Sequence, residues 1–190
     1  YNGRDLFSIP DLSIKLTTRQ RYFAKTFFFG HILFGGSIEG VLGRGAELLS
    51  DIPPDRLVKL GEEWFAKHPK VAEYRQRIEK ELRAKRSLVG PFGRPRIFFD
   101  PVNEAIRQGF NFPIQNGEGD MVALKLIEID RTYPNELCLQ VHDSIMLETP
   151  NEQVEERAAW LKEVLEQPVP ELSNYRFPVK VSVGESWGDF

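Results

Sequence analysis

The stretch Arg21-Tyr22-Phe23-Ala24-Lys25-Thr26-Phe27-Phe28-Phe29-Gly30, followed at once by His31-Ile32-Leu33-Phe34-Gly35, decides how this chain is read. Thr17 or Thr18 offers a cap before it and Gly35-Gly36-Ser37 a stop after it, so the spacing predicts a helix over 18–34. Residues four apart share a helix face, which aligns Arg21, Lys25, Phe29 and Leu33. That face carries two cations and then an aromatic ring. A guanidinium offers a planar fork and an ammonium a point charge, and both suit phosphate oxygens. The ring beyond them suits a sugar or base. Phe23, Phe27, Phe28 and Ile32 fall on other faces and would seat the helix in a core. By periodicity alone, a core helix with two exposed cations is the better account of the pattern.

Working outward, residues 1–16 read as irregular, with a break at Pro10. Helical patterns follow over 37–49, 55–68 and 71–86, the last with Val71, Tyr74, Ile78 and Leu82 on one side. Gly90-Pro91-Phe92-Gly93-Arg94-Pro95 is a turn-rich connection. Residues 101–130 read as mostly helical, interrupted near Pro113. Two short apolar runs flank His142-Asp143-Ser144, which predicts a β-hairpin over about 137–148 with those residues in its turn. A helix over 151–166 and a last strand through Val179, Val181 and Val183 complete the reading. The fold class is α+β: a helical first half, then helices with a small antiparallel sheet. The division falls near residues 90–100, giving regions 1–95 and 96–190.

Composition narrows the possibilities. Of 190 residues, 41% are hydrophobic and 28% charged, enough for a real core and unlike a disordered chain. Cys138 is the single cysteine, so no internal disulfide can form and a soluble protein of a reducing, intracellular compartment is expected. No apolar run approaches the roughly 18 residues a membrane helix needs. The chain opens on Tyr1 and its methionines are Met121 and Met146, so a part of something longer is expected. The net charge of −3 hides an asymmetry. Residues 75–96 hold eight basic side chains against Glu79 and Glu81, whereas 143–190 hold ten acids against four bases. A basic strip on a mildly acidic body suits a nucleic-acid enzyme, and equally a solvated helix face.

The first motif, from Arg21 to Phe34-Gly35, closely resembles the fingers-helix signature of family A (polymerase-I-like) DNA polymerases. That signature is Arg, three residues, Lys, three residues, Phe or Tyr, Gly, then Tyr-Gly. The resemblance implies that Arg21 and Lys25 bind the triphosphate of an incoming nucleotide, with Lys25 also catalytic, and that Phe29 lies against its sugar. Phenylalanine there resembles the members that reject dideoxynucleotides. The later tyrosine maps to Leu33 if the helix is unbroken and to Phe34 if one residue is inserted; either way the family's hydroxyl is missing.

Three further segments follow in family order. Phe65-Ala66-Lys67-His68-Pro69-Lys70-Val71 and Phe92-Gly93-Arg94-Pro95-Arg96 resemble the path back toward the palm, implying phosphate contacts from Arg94 and Arg96. Arg107-Gln108-Gly109-Phe110-Asn111-Phe112-Pro113-Ile114-Gln115-Asn116-Gly117 repeats Arg107, Asn111 and Gln115 at intervals of four. Amides donate and accept, so such a face can follow base edges in a minor groove without reading sequence. By itself a polar helix face is the better account; the resemblance assigns these three residues to the primer–template.

A carboxylate at the tip of a tight hairpin is rigid and exposed, which suits a hard cation such as Mg²⁺. Alone, Asp143 could be a turn residue or half of an HD phosphohydrolase site, but that site needs more histidines, and only His31 and His68 remain. With its flanks, Leu139-Gln140-Val141-His142-Asp143-Ser144-Ile145 resembles the family's palm hairpin Gln-Val-His-Asp-Glu. Asp143 would then be a catalytic metal ligand for two Mg²⁺ ions and His142 a neighbour of the primer terminus. Ser144 departs from the usual glutamate. The ending Val183-Gly184-Glu185-Ser186-Trp187-Gly188 resembles the family's C-terminal Gly-to-Trp ending.

The resemblance runs from about Arg4 to the last residue. It implies a helical fingers subdomain (1–95) and part of a palm (96–190), an incomplete right-hand polymerase fold. It implies template-directed DNA synthesis from a dNTP on a primer–template, with no membrane partner. The family's second metal-binding aspartate precedes the fingers, and nothing before Arg21 matches it, so an upstream or companion polymerase segment is expected. A non-catalytic DNA-binding remnant and an RNA-making relative remain open. The short fingers and Ser144 resemble a phage or organellar branch more than a bacterial repair enzyme.

Overall fold

A computed structural model describes residues 15–37, 40, 43 and 53–189. Helix α1 (Thr18–Phe27) starts on a reciprocal capping box. The Thr17 hydroxyl accepts from the Gln20 amide at 3.2 Å, and the Gln20 side chain accepts from the Thr17 amide at 3.0 Å. Phe23, Ala24 and Phe27 are buried, as their positions on the wheel require, while Arg21 and Lys25 stay exposed. After Phe27 the winding changes. Phe28–Leu33 is a π-helical segment, in which each turn holds one more residue than an α-turn. The helix expected over 18–34 is therefore present in extent but not in uniform winding.

The chain divides into two compact units, Tyr1–Leu88 with Pro95–Phe112, and Val89–Arg94 with Pro113–Phe190. In the first, helix α2 (Pro54–Lys67) places Leu57 and Leu60 against Phe23, Phe27 and Ile32. Phe28, Trp64 and Phe65 pack around them. Proline opens both α2 and helix α3 (Pro69–Lys85), where the missing amide costs nothing. Ile78 and Leu82 of α3 join Leu88, Phe98, Ile106, Phe110 and Phe112 in a second cluster. Gly109 allows this packing, because a Cβ there would collide with the Leu82 Cδ1.

The connection read as turn-rich is a small hairpin, β1 (Ser87–Val89) and β2 (Pro95–Ile97), closed by the Gly90 amide donating to the Arg94 carbonyl at 2.8 Å. Each strand is three residues long, too short to show a period-two pattern. Helix α4 runs unbroken over Val102–Thr132 with Pro113 inside it. The interruption expected at Pro113 does not occur. Proline at 113 removes the ladder donor to the Gly109 carbonyl; one residue on, the Phe110 carbonyl accepts from the Tyr74 hydroxyl at 2.9 Å, which ties this stretch of α4 to α3. Burial raises the pKa of that hydroxyl, with the Arg77 charge opposing.

In the second unit, β3 (Leu137–Val141) pairs antiparallel with β4 (Ser144–Leu147), with a register irregularity between Leu137 and Leu139. Val141 pairs with Ser144, so the turn is His142-Asp143 alone and Ser144 belongs to the strand. A short 3₁₀ turn (Asn151–Gln153) leads into helix α5 (Val154–Leu165). The strand expected through Val179 and Val183 is absent among the described residues; it finds no partner there, and Val183 is exposed. A strand needs a neighbour to take its backbone bonds. The expected helix over 37–49 and the irregular segment 1–16 lie largely outside the described residues.

Candidate active site

On the helix of the first unit, Arg21 and Lys25 stand exposed one turn apart, and Phe29, 44% exposed, begins the next turn inside the π segment. There the Phe34 amide reaches back five residues to the Phe29 carbonyl at 3.0 Å. The longer turn brings the Phe34 ring round to Phe29, with centroids 6.2 Å apart and planes at 31°. Leu33 and Phe34 are both half-buried. The segment ends at Gly35, whose φ of 68° an L side chain adopts only with strain, and the Gly36 amide closes it on the Gly30 carbonyl at 2.7 Å. His31 Nδ1 lies 2.7 Å from the Gly36 carbonyl oxygen.

The basic strip is paired within itself in part. Arg83 binds Glu79 at 2.7 Å, Lys85 lies 3.9 Å from Glu81, and Arg86 donates to the Asp100 carbonyl. Such exposed pairs add little stability but reduce the charge available to a ligand. Arg96 is exposed; it donates to the Gln108 amide oxygen at 2.6 Å and lies over the rings of Phe98 and Phe112. Arg107 pairs with Glu104. Asn111 keeps its amide oxygen buried without a partner. Further along the same helix, Gln115 is exposed and donates to Glu118 at 3.3 Å.

Arg94, in the second unit, donates to the buried Asp120 at 2.9 and 2.5 Å. Asn116 donates to the other carboxylate oxygen at 2.8 Å. The Arg94 guanidinium is the main cause of an Asp120 carboxyl held below its ordinary range. Asp120 escaped the sequence reading, although it stands four residues after Asn116 on one helix face.

The hairpin of the second unit presents His142 and Asp143, both exposed, on a two-residue turn. His142 has φ +53°, a conformation usually left to glycine in such turns, and its carbonyl accepts from the Gln140 side chain. Strained non-glycine residues of this kind gather at functional sites. The Asp143 carboxylate makes no hydrogen bond or ion pair among the described residues. The hairpin is anchored from behind: Glu136, just before β3, accepts from Arg157 of α5 at 2.7 and 2.9 Å and from the Thr149 hydroxyl at 3.0 Å. No group of three or more His, Cys, Asp or Glu side chains is gathered for a metal among the described residues. No helix among them is long and apolar enough to cross a membrane.

Against known proteins, the chain is similar to the thermostable DNA polymerase I of Thermus thermophilus, with 31% identity over 96% of this chain and 22% of that protein. It is likewise similar to DNA polymerase I of Geobacillus stearothermophilus, with 27% identity over 97% of this chain and 21% of that one. The chain thus spans about a fifth of the length of these relatives. Among solved structures, it shares its fold with the POL domain of Pol1 from M. smegmatis, solved in complex with DNA primer-template and dNTP. The TM-score is 0.69 at 22% identity, over 86% of this chain and 30% of that one. The α+β polymerase fold expected from sequence is the fold observed. The family model for DNA polymerase family A matches residues 3–189, nearly the whole sequence, and the chain belongs to that family.

Proposed function

We propose that the chain supplies the fingers and part of the palm of a template-directed DNA polymerase, which joins a deoxynucleotide to a primer 3′-hydroxyl and releases pyrophosphate. One observation carries this reading: in a member of DNA polymerase family A, Arg21, Lys25 and Phe29 stand exposed in succession along one helix. Arg21 and Lys25 bind the triphosphate oxygens, and Lys25 offsets the charge that builds on the leaving phosphates. Phe29 bounds the sugar. Phe34, brought round by the π turn, takes the place the family gives to tyrosine. Arg96, Arg107, Asn111 and Gln115 face the primer–template, and His142 lies by its 3′ end.

Asp143 is a hard oxygen ligand on a rigid turn with its carboxylate uncommitted, which fits Mg²⁺. When bound, Mg²⁺ neutralises charge on the attacking and leaving oxygens. Asp143 is one carboxylate of such a site. We infer that the second comes from a polymerase segment outside these 190 residues, so the isolated chain does not extend a primer.

Asp143→Asn in the complete polymerase tests the reading. Primer extension is expected to fall by about a hundred- to a thousandfold, the scale of losing a charge-stabilising group at the reacting centre, while primer–template affinity is kept. Wild-type rates in that variant would overturn it.

A further inference from the structure

The π-helical end of the nucleotide helix is held from outside by Arg75, a side chain that lies outside the family-like segments read in the sequence. Backbone amides of Phe34, Gly35 and Gly36 take the carbonyls of Phe29, His31 and Gly30. The Ile32 carbonyl receives Nη1 of Arg75, from α3, at 3.4 Å. The Arg75 guanidinium also lies over two rings, 4.5 Å from the Phe110 centroid and 5.2 Å from that of Phe65. Gly35 completes the joint: at its φ of +68°, a Cβ would stand 2.8 Å from Arg75 Nη2 and 2.9 Å from the Phe110 ring. Helix, α3 and α4 therefore meet at one guanidinium within the first unit.

We infer that Arg75 is a positioning residue for the nucleotide helix, fixing the turn that presents Phe29 and Phe34. This rests on reading that helix as the dNTP site. Three physical requirements select arginine. A helix end carries partial negative charge and unsatisfied carbonyls, so a cation with N–H donors is favoured. The group must lie flat against aromatic faces, which a guanidinium does and an ammonium does not. It must also stay charged in partial burial; burial pulls the Arg75 pKa down while Glu79 opposes, from a starting value too high for the charge to be lost. Without this joint, a π turn, less favourable than an α turn, keeps only its own backbone bonds and the His31–Gly36 contact to hold its extra residue in place.

The test uses the complete polymerase carrying Arg75→Met or Arg75→Lys, with two readouts. One is hydrogen exchange at the amides of residues 30–36 in the absence of nucleotide. The other is steady-state incorporation, separated into KM for dNTP and kcat, with primer–template affinity measured in parallel. In Arg75→Met, exchange at these amides is expected to speed up about tenfold or more and KM for dNTP to rise about tenfold. Primer–template affinity and kcat should stay within about threefold. Arg75→Lys should fall between Met and wild type in both. Unchanged exchange and KM in either folded variant would overturn the assignment. So would global unfolding of both, since Arg75 would then serve the core at large. If the wild type fails to incorporate dNTP, the functional reading fails, while the exchange result still decides the role of Arg75.

Discussion

Arg94 and Asp120, twenty-six positions apart, meet in a two-bond ion pair that ties the β1–β2 turn to the second half of α4. Asn116 completes the joint from one helical turn earlier. Gly90 makes room for it, because a Cβ there would overlap the Asn116 amide oxygen.

The first prediction concerns pH. The folded Asp120 carboxyl sits below its ordinary value, chiefly through Arg94. A depressed carboxylate contributes stability above its unfolded pKa, about 3.9, and loses it as pH falls through the folded pKa. Asp120→Asn should therefore lower the thermal midpoint most at pH 6–7. The gap to wild type should close as pH drops below about 4. Thermal unfolding followed from pH 2 to 7 checks this. A constant gap would mean that the pair does not set the titration.

The same pair separates two arginines that look alike in sequence. A phosphate contact adds about 0.9 to the slope of log affinity against log salt. Arg94 has its charge matched by Asp120, whereas Arg96 meets uncharged groups, the amide of Gln108 and the rings of Phe98 and Phe112. Arg96→Ala should flatten the salt dependence of primer–template binding by about one unit, and Arg94→Ala by much less. Fluorescence anisotropy titrations between 50 and 300 mM salt, on the order used to resolve such slopes, read the difference. Equal slopes would place Arg94 on DNA.

Much of this was legible in the sequence because it is local. Thr17 to Gln20 caps a helix within one turn, and His142-Asp143 between two apolar runs makes a hairpin within twelve residues. What escaped depends on partners distant in sequence. Nothing near Pro113 announces that Tyr74 reaches the Phe110 carbonyl. The alternation of Val179, Val181 and Val183 is a sound local signal, yet a strand forms only where another strand meets it. In sequence Arg75 is simply one basic residue of a strip and Arg94 an expected phosphate contact, and only the fold commits them to Ile32, Phe110 and Asp120.

A third prediction follows from the support of the His142-Asp143 hairpin. Arg157 is buried, and it donates two hydrogen bonds to Glu136 just ahead of β3. Removing one partner strands the other, whereas replacing both with apolar groups of similar size can be nearly neutral. Glu136→Leu and Arg157→Met should each lower the thermal midpoint more than the double variant does. A double variant that loses the sum of both would show that the pair acts through separate contacts.

Phe29 yields a fourth. A phenyl ring offers the sugar no hydrogen bond, and a tyrosine hydroxyl would add one, worth about 1 kcal/mol. Phe29→Tyr should therefore raise incorporation of dideoxynucleotides relative to deoxynucleotides by about fivefold or more. Competition assays on a single template site measure the ratio, and an unchanged ratio would remove Phe29 from the sugar.

The π turn decides between the two residues beyond it. In an α-helix Leu33, four residues on, would follow Phe29 on the same face; with one more residue per turn, Phe34 does. Aromatic contacts of this kind add about 0.5–1.5 kcal/mol beyond buried area, equivalent to roughly two- to tenfold in binding. Phe34→Ala should therefore cost up to about tenfold in kcat/KM for dNTP. Leu33→Ala, which leaves the ring pair intact, should cost less than about threefold at a temperature where both variants are folded. Deleting His31 removes the extra residue, so the segment should revert to α winding and set Phe34 four residues after Phe29. Kinetics of the three variants, read with circular dichroism to confirm folding, make the comparison. A larger loss for Leu33→Ala than for Phe34→Ala would return the site to an unbroken helix.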